Sequence, residues 1–563
     1  MILNHINDIA SICAGHGIKT AVISPGSRSA PITLAFNQYP DIEVKMVADE
    51  RSAAFIAIGI AQQQKQPVVL VCTSGSAVYN YAPAVAEAYY QEVPLLILSA
   101  DRPPEWTNQY DGQTIQQAGI FGNHVKKSFQ FPVEGIHKDD VWYANRVTNE
   151  AIISAKKSPK GPVHINVPLR EPFYPSEDES ISFNPNTRII HSPQVSPGLT
   201  EETWASFASV WEKTTKRLVV VGQLEADGAL TQVLEEFSKD KDTLVINDVT
   251  GNQHTLGGVI QHQDAFLLPD QSDVLSKLTP ELLITIGKSL ISKNLKLYFR
   301  KNPPKHHWHI HESDQVNDTL QHVTNVISTS PNYFIHELNN RTKSRTSKIF
   351  NSAWSTIESR AAESRRSFLE NCEFGEFQAI NLCVNVLPNH GQLHLANSMS
   401  VRYANLLGMS KNVKVFANRG TSGIDGSNGT AVGAAIAQQE LVTLITGDMA
   451  FLYDRNAFWH SERIKNMRII VLNNSGGGIF RMIKGPRDQK DYEKLFQTDQ
   501  PLTAKHTALD FGFDYFDCDN RNDLEEHLKD FYSPSDRPKI LEVFSDSKKN
   551  TEVFEAFKKL FVD

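Results

Sequence analysis

Two apolar runs in the chain stop abruptly at small polar residues. In LITGDMAFLYD, Leu444 to Asp454, the break comes at Gly447-Asp448; in RIIVLNNSGGGIF it comes at Asn473-Asn474, followed by three glycines. Asp448 offers a hard, charged oxygen and Asn474, 26 positions later, a neutral one. The glycines at 476 to 478 allow backbone groups to approach a ligand closely. A small divalent cation such as Mg²⁺ takes about six oxygens in an octahedron, one or two from protein carboxylates and the rest from phosphates and water. One Asp, one Asn amide and one backbone carbonyl would suit a metal that carries a diphosphate. Each segment taken alone also reads as an ordinary turn.

Arginines form the second chemical set. SPGSRSAP (Ser24 to Pro31), SADRPPE (Ser99 to Glu105), NSMSVRYAN (Asn397 to Asn405) and NRGTSGIDG (Asn418 to Gly426) each place an Arg in or beside a strand end. The planar guanidinium fork suits bidentate carboxylate binding, so the set points to substrates carrying several carboxylates. Glu50, in MVADERSAAF, opens a helix, where an acid is favoured by the helix dipole whether or not it does chemistry. In HHWHIH, strand alternation puts His307, His309 and His311 on one face. Without cysteine partners or a ligand spacing, that run is expected to be a solvated strand edge rather than a zinc site. Cys72 lies inside the apolar VVLVC and reads as a small buried hydrophobe.

The elements that must position these residues alternate strand and helix. TAVISPG, IEVKMVADERSAAFIAIGIAQQQ, PVVLVCTSGSAVYNYAPAVAEAYYQ, VPLLILSADRP and GPVHINVPL make a first α/β unit. RLVVVGQLEAD, DTLVINDV, ELLITIGKS and KHHWHIHES make a second; GQLHLANSMSVRYAN, VKVFANRGTSGIDG, LVTLITGDMAF and RIIVLNNSGGG make a third. Short, wholly apolar strands between helical patterns predict mostly parallel sheets with helices on both faces. The fold class is therefore α/β in three domains, at 1–180, 200–345 and 376–563, the first and third alike in style. The Pro- and Ser-rich stretch from Pro168 to about Thr200 predicts an interdomain linker. GQLEAD is not G-x-G-x-x-G, so the second unit shows no dinucleotide fingerprint.

The bulk properties exclude several classes. A formal charge of −8 over 563 residues, with no Lys/Arg block, argues against nucleic acid as a partner. No apolar run reaches the roughly 18 residues of a membrane span. The N-terminal stretch lacks a basic n-region and an apolar h-region, so no signal peptide is expected. Five scattered cysteines without a C-x-x-C pair fit a reducing, cytoplasmic setting.

Gly-Asp at one strand end, followed by Asn-Asn at another, resembles the cofactor motif of the thiamin-diphosphate-dependent enzymes, with Met449 where that motif usually carries Gly. The resemblance implies thiamin diphosphate and Mg²⁺, or Mn²⁺, as cofactors. It makes Asp448 and Asn474 side-chain metal ligands and Gly476 the carbonyl ligand, with Gly447, Met449, Ala450, Gly477 and Gly478 against the cofactor. Ser422, Gly423, Ile424 and Ile479 complete the cofactor set, Ile424 wedging between its two rings. Glu50 becomes the catalytic carboxylate that shares a proton with the aminopyrimidine. In this family that carboxylate and the diphosphate site come from two subunits, which implies a homodimer or homotetramer with sites at subunit interfaces.

Within the family, the arginine segments together with GIDG and NNSGGGIF resemble the menaquinone-biosynthetic branch, over the whole chain. That branch of transferases decarboxylates 2-oxoglutarate and adds the succinyl carbanion equivalent in 1,4 fashion to isochorismate. Carried over, Ser27, Arg28, Arg102, Gln113, Lys293, Ser398, Arg402 and Arg419 face the substrates or their adduct, and Gln113 also reaches the cofactor. Ile479 and Phe480 form an apolar wall. The middle segment GKSLISKNL matches most loosely, because relatives often carry Lys-Arg where this chain has Lys293-Asn294. Two other readings compete. An acetolactate-synthase-like carboligase would usually hold a flavin in the middle domain. A non-catalytic thiamin-fold subunit would have lost Glu50, Asp448 or Asn474.

Overall fold

Strands that are apolar on both faces are stable only between two layers of helices, and the chain builds three such sheets. The computed structural model describes residues 4–561 apart from 177–178, 194, 196–197, 269–274 and 344–346. The first sheet contains β1 (Thr20–Ile23), β2 (Glu43–Met46), β3 (Val68–Cys72), β4 (Leu95–Asp101), β5 (Ser128–Gln130) and β6 (Val163–Pro168), in the order β2-β1-β3-β4-β6-β5. The second contains β7 (Arg217–Val221), β8 (Leu244–Asn247), β9 (Leu282–Ile286), β10 (His306–Ile310) and β11 (Asn325–Ile327), in the order β11-β10-β9-β7-β8. The third contains β12 (Gln392–Leu395), β13 (Lys414–Phe416), β14 (Val442–Gly447), β15 (Met467–Asn473), β16 (Asp514–Cys518) and β17 (Lys539–Phe544). Its order, β13-β12-β14-β15-β17-β16, repeats the topology of the first sheet, and the named pairings in all three are parallel. The fold class read from the sequence therefore holds.

The first and third domains are joined through two helices, Glu50–Gln64 and Ser427–Ala437, that share one apolar cluster including Phe55, Ile56, Ala431 and Val432. Glycines let them approach: a Cβ on Gly59 would lie 2.1 Å from the Thr430 carbonyl oxygen. Polar ties reinforce the contact. The Glu87 carboxylate accepts from the backbone N–H groups of Gly420 and Thr421 at 2.7 and 2.6 Å, and Lys45 Nζ pairs with Glu462 at 2.7 Å. The middle domain docks on the third through Asn252, which donates to the Val415 carbonyl at 3.0 Å and accepts from the Val415 N–H at 2.7 Å.

The stretch between the first and second sheets and the histidine strand are both held by contacts remote in sequence. The stretch after β6 has no helix or strand up to Thr200 among its described residues, yet it is no free tether. Phe173, Phe183 and Ile189 pack on the first domain's core, Thr187 Oγ1 donates to Asp8 at 2.9 Å, and the Ile190 N–H donates to Asn149 Oδ1 at 2.7 Å. Its few apolar residues strap it down. The histidine strand is not a solvated edge either: β10 lies between β9 and β11, with His307 and His309 buried. Thr285 Oγ1 on the neighbouring β9 reaches both rings, His307 Nε2 at 2.9 Å and His309 Nδ1 at 3.0 Å. Burial pushes both imidazoles down to about 4, so they stay neutral.

Candidate active site

β14 and β15 run side by side in register from Val442↔Met467 to Gly447↔Leu472, so their C-terminal ends bring Asp448 and Asn474 to the same edge of the sheet. Asp448 opens the helix Asp448–Tyr453 and is buried; burial pushes its carboxyl up to about 6, against a hydrogen bond from Gln500 Nε2 at 2.7 Å. Asn474 donates its Nδ2 to Glu376 Oε1, and its Oδ1 is sealed from solvent with no hydrogen-bond partner. Glu376, itself buried, is pushed up to about 7 by burial, with the charge of Asp448 adding to the rise. A buried acceptor without a donor is costly, on the order of 1–3 kcal/mol, unless a ligand completes it.

The glycine run shapes the same place. Gly476 has φ +152°, and a Cβ there would meet the Gln497 carbonyl oxygen at 2.5 Å; a Cβ on Gly478 would meet Asn474 Nδ2 at 2.7 Å. The Gly476 carbonyl accepts from the Gly478 N–H at 3.0 Å, which leaves it a second lone pair. A Cβ on Gly447 would meet nothing within 4 Å. An orphaned amide oxygen, a buried carboxylate and a carbonyl make the all-oxygen donor set of a hard cation, so these residues fit Mg²⁺ or Mn²⁺. Among the described residues there is no group of three or more His, Cys, Asp or Glu that could hold a metal, so this mixed set is the better place for one.

Around it the third domain gathers cations. Arg419 Nη1 donates to Asn397 Oδ1 at 2.9 Å, while its buried Nε has no partner. Asn397 in turn donates to the carbonyls of Asn418 and Gly423, both at 2.6 Å, fixing the loop that carries Ser422 and Ile424. Arg402 donates to the Ser398 carbonyl, and its pKa is lowered first by burial and then by the charge of Arg419. Ser398, Ser422 and Ser475 have φ of 76°, 63° and 62°, a left-handed conformation uncommon for serine. Such strain clusters where a site holds its backbone in place. Lys293 begins the helix Lys293–Lys301 and is exposed. Lys296, one turn later, donates to the Leu290 carbonyl at 2.9 Å, and burial and then the charge of Arg419 lower its pKa.

The first domain gathers the remaining residues. Arg28 is buried, donates to the Leu169 carbonyl at 2.9 Å and lies 4.4 Å over the Phe173 ring. Its pKa is lowered by burial and then by the charge of Arg102, which itself pairs with Asp111 at 2.9 Å. Gln113 has φ 54° and sits against Gly75, where a Cβ would lie 3.2 Å from the Gln113 Cα; Ser27 is exposed beside Arg28. Glu50 accepts from Asn80 Nδ2 at 3.1 Å. Among the described residues no hydrogen bond or ion pair joins the first-domain half of the candidate set, Ser27, Arg28, Glu50, Arg102 and Gln113, to the half between 398 and 480. On the second half, Ile424 and Phe480 remain 36 % and 38 % exposed.

Several residues beside the candidate set escape sequence reasoning. Glu376 and Gln500 contact the candidate metal ligands but look like a first-turn helix acid and a loop amide. Gln117, which accepts from the Gly75 N–H at 2.8 Å and donates to the Ala100 carbonyl at 3.0 Å, has no local signature either. A separate cavity of about 850 Å³ between the first and middle domains, walled in part by Tyr90, Lys288, His307 and His311, contains none of the residues expected at the site.

Comparison with known proteins places the chain in a family. Residues 4–120 match the family described as thiamine pyrophosphate enzyme, N-terminal TPP binding domain; 188–395 match the middle domain of thiamine pyrophosphate enzymes; 397–543 match the C-terminal TPP binding domain. A protein of Cytophaga hutchinsonii named 2-succinyl-5-enolpyruvyl-6-hydroxy-3-cyclohexene-1-carboxylate synthase is 45 % identical over 556 residues, 98 % of each chain. Proteins of the same name from Flavobacterium johnsoniae and Bacteroides fragilis are each 38 % identical, over 98 % of this chain and 97 % and 98 % of theirs.

Proposed function

The chain belongs to the 2-succinyl-5-enolpyruvyl-6-hydroxy-3-cyclohexene-1-carboxylate synthase family of thiamine pyrophosphate enzymes, and from that premise we propose that it decarboxylates 2-oxoglutarate and adds the remaining succinyl unit to isochorismate. It is a thiamin-diphosphate-dependent transferase of menaquinone biosynthesis. The observation that carries the reading is the pair at the ends of β14 and β15: buried Asp448 beside an Asn474 whose Oδ1 lacks any partner.

Bound thiamin diphosphate supplies a nucleophilic carbon and an electron sink for the decarboxylation. Asp448, Asn474 Oδ1 and the Gly476 carbonyl would hold Mg²⁺ or Mn²⁺ against its diphosphate. Glu50 holds a proton at the pyrimidine ring nitrogen. Arg28, Arg102, Arg402 and Arg419 bind the substrate carboxylates, with Ser27, Gln113, Lys293 and Ser398 beside them, and Ile424, Ile479 and Phe480 exclude water. Arg419 supports the anionic substrate class: its buried Nε–H has no partner, and its charge adds to the burial that lowers the pKa of Arg402.

The working enzyme is proposed to be a dimer or tetramer in which the first domain of one copy faces the third domain of another. Support comes from the two sets of candidate residues, which no hydrogen bond or ion pair joins among the described residues, and from exposed aromatics beside Glu50: Tyr79 precedes the Asn80 that bonds Glu50, Tyr453 lies under Arg51, and both are more than half exposed. Such apolar exposure marks an interaction surface. The domain limits 1–180, 200–345 and 376–563 and a cytoplasmic location belong to the same proposal. No described helix is long and apolar enough to cross a membrane.

The test is direct. Purified protein with thiamin diphosphate, Mg²⁺, 2-oxoglutarate and isochorismate should release CO₂ and give the succinylated product by mass spectrometry. Turnover of pyruvate as readily as 2-oxoglutarate would instead point to an acetolactate-type carboligase.

A further inference from the structure

We infer that Glu376 is the positioning residue for the metal ligand Asn474, setting which end of its amide faces the cation. The inference rests on the reading of Asn474 as a ligand and adds a residue that the motif itself does not contain. Asparagine can present either its oxygen or its NH₂ to a site, and only the oxygen binds a cation. A neighbour must therefore decide. Asn474 Nδ2 donates to Glu376 Oε1, which leaves Oδ1 turned the other way, buried and without a partner. An acceptor at Glu376 attracts the NH₂ end and repels the oxygen, so the opposite rotamer would set two acceptors against each other.

Glu376 is itself fixed. It opens the helix Glu376–Asn385, and its backbone N–H donates to Asn550 Oδ1 at 3.0 Å. Gly375 packs against the same Asn550 side chain, with a Cβ there only 2.4 Å from Oδ1, so the chain entering the helix has little freedom. Gly478 leaves the same end of the amide room: a Cβ there would lie 2.7 Å from Nδ2 and 3.4 Å from Oδ1. The NH₂ end is thus taken by a fixed acceptor, and the oxygen is the end left without a partner. Outer partners of this kind typically change metal affinity by about 10- to 100-fold when removed.

The experiment is a Mn²⁺ titration by electron paramagnetic resonance with thiamin diphosphate present, on full-length wild type and four variants, with unfolding curves for each. Glu376→Gln keeps an acceptor oxygen and should stay within about threefold of wild type, whereas Glu376→Leu, of similar size but no acceptor, should bind Mn²⁺ about 10- to 100-fold more weakly. In the Asn474→Ala background, already weakened, adding Glu376→Leu should change affinity by less than threefold, because the residue acts only through the amide. Equal loss in the Gln and Leu variants, or a Leu variant binding as wild type, overturns the positioning role. Should Glu376→Leu fail to fold, the Gln variant decides alone: a tenfold loss there overturns it. If Asn474→Ala binds Mn²⁺ as wild type does, the metal reading itself fails, whichever way the Glu376 variants behave.

Discussion

Gly59 and Gly433 face each other across the helix pair that joins the first and third domains. A Cβ on Gly433 would lie 2.0 Å from the Ile56 carbonyl oxygen, and one on Gly59 would lie 2.1 Å from the Thr430 carbonyl oxygen. Neither neighbour is a movable side-chain tip, so the helices must separate to admit even a methyl group. Gly433→Ala is expected to cost about 3 kcal/mol or more, the upper range for overpacking. Denaturant unfolding of wild type and variant measures it, and equal midpoints would mean that the helices part freely.

Asp448 is the one charged side chain in the candidate metal set. Asp448→Ala should abolish detectable cofactor binding in a protein that still folds, because the cation loses its only anionic protein ligand. Calorimetry with thiamin diphosphate and Mg²⁺ reads this directly. Unchanged affinity would remove Asp448 from the site.

Glu50→Gln keeps the shape and the hydrogen bond with Asn80 but cannot share a proton with the pyrimidine ring. Cofactor should still bind, while decarboxylation of 2-oxoglutarate slows by about 10² or more. A Gln variant decarboxylating at the wild-type rate would leave Glu50 as a plain helix-start acid.

Arg419 uses one N–H on Asn397 and has a buried N–H to spare. Arg419→Lys can still reach Asn397 but cannot present a second donor. Loss of one charge-assisted bond of about 1.5–3 kcal/mol corresponds to roughly 10- to 150-fold weaker substrate binding. The KM for 2-oxoglutarate or isochorismate should rise by that factor, with thiamin diphosphate affinity within about threefold. A change confined to the cofactor would contradict the assignment.

His164 sits in the first core, bonded to Ser99 Oγ at 2.7 Å and Ser128 Oγ at 3.2 Å, and burial pushes it from 6.5 down to about 3. The unfolded chain protonates it below pH 6.5 while the folded chain does not, so its contribution is complete above 6.5 and is lost as the pH falls toward 3. His164→Gln cannot titrate. The stability gap between wild type and variant should therefore shrink on acidification from pH 7 to 4, by up to about 1.4 kcal/mol per pH unit below 6.5. A gap independent of pH would show that the imidazole is not held neutral.

What the sequence determined by itself is what repeats or breaks locally. Apolar runs of strand length between helical patterns gave three parallel sheets, and the abrupt ends at Gly447-Asp448 and Asn473-Asn474 marked the edge of the candidate metal site, since each of these signals is written in a few consecutive residues. The tertiary structure decided what depends on neighbours remote in sequence. Register put Asp448 beside Asn474, and packing brought Glu376 to the Asn474 amide from 98 positions away. Strand order buried the histidines of β10, because a strand's own residues cannot say whether it lies at an edge or in the middle. The helix begun at Lys293 carried Lys296, one turn on, toward Arg419. Side-chain partners of this kind are chosen by the shape of the whole fold, and no local spacing encodes them.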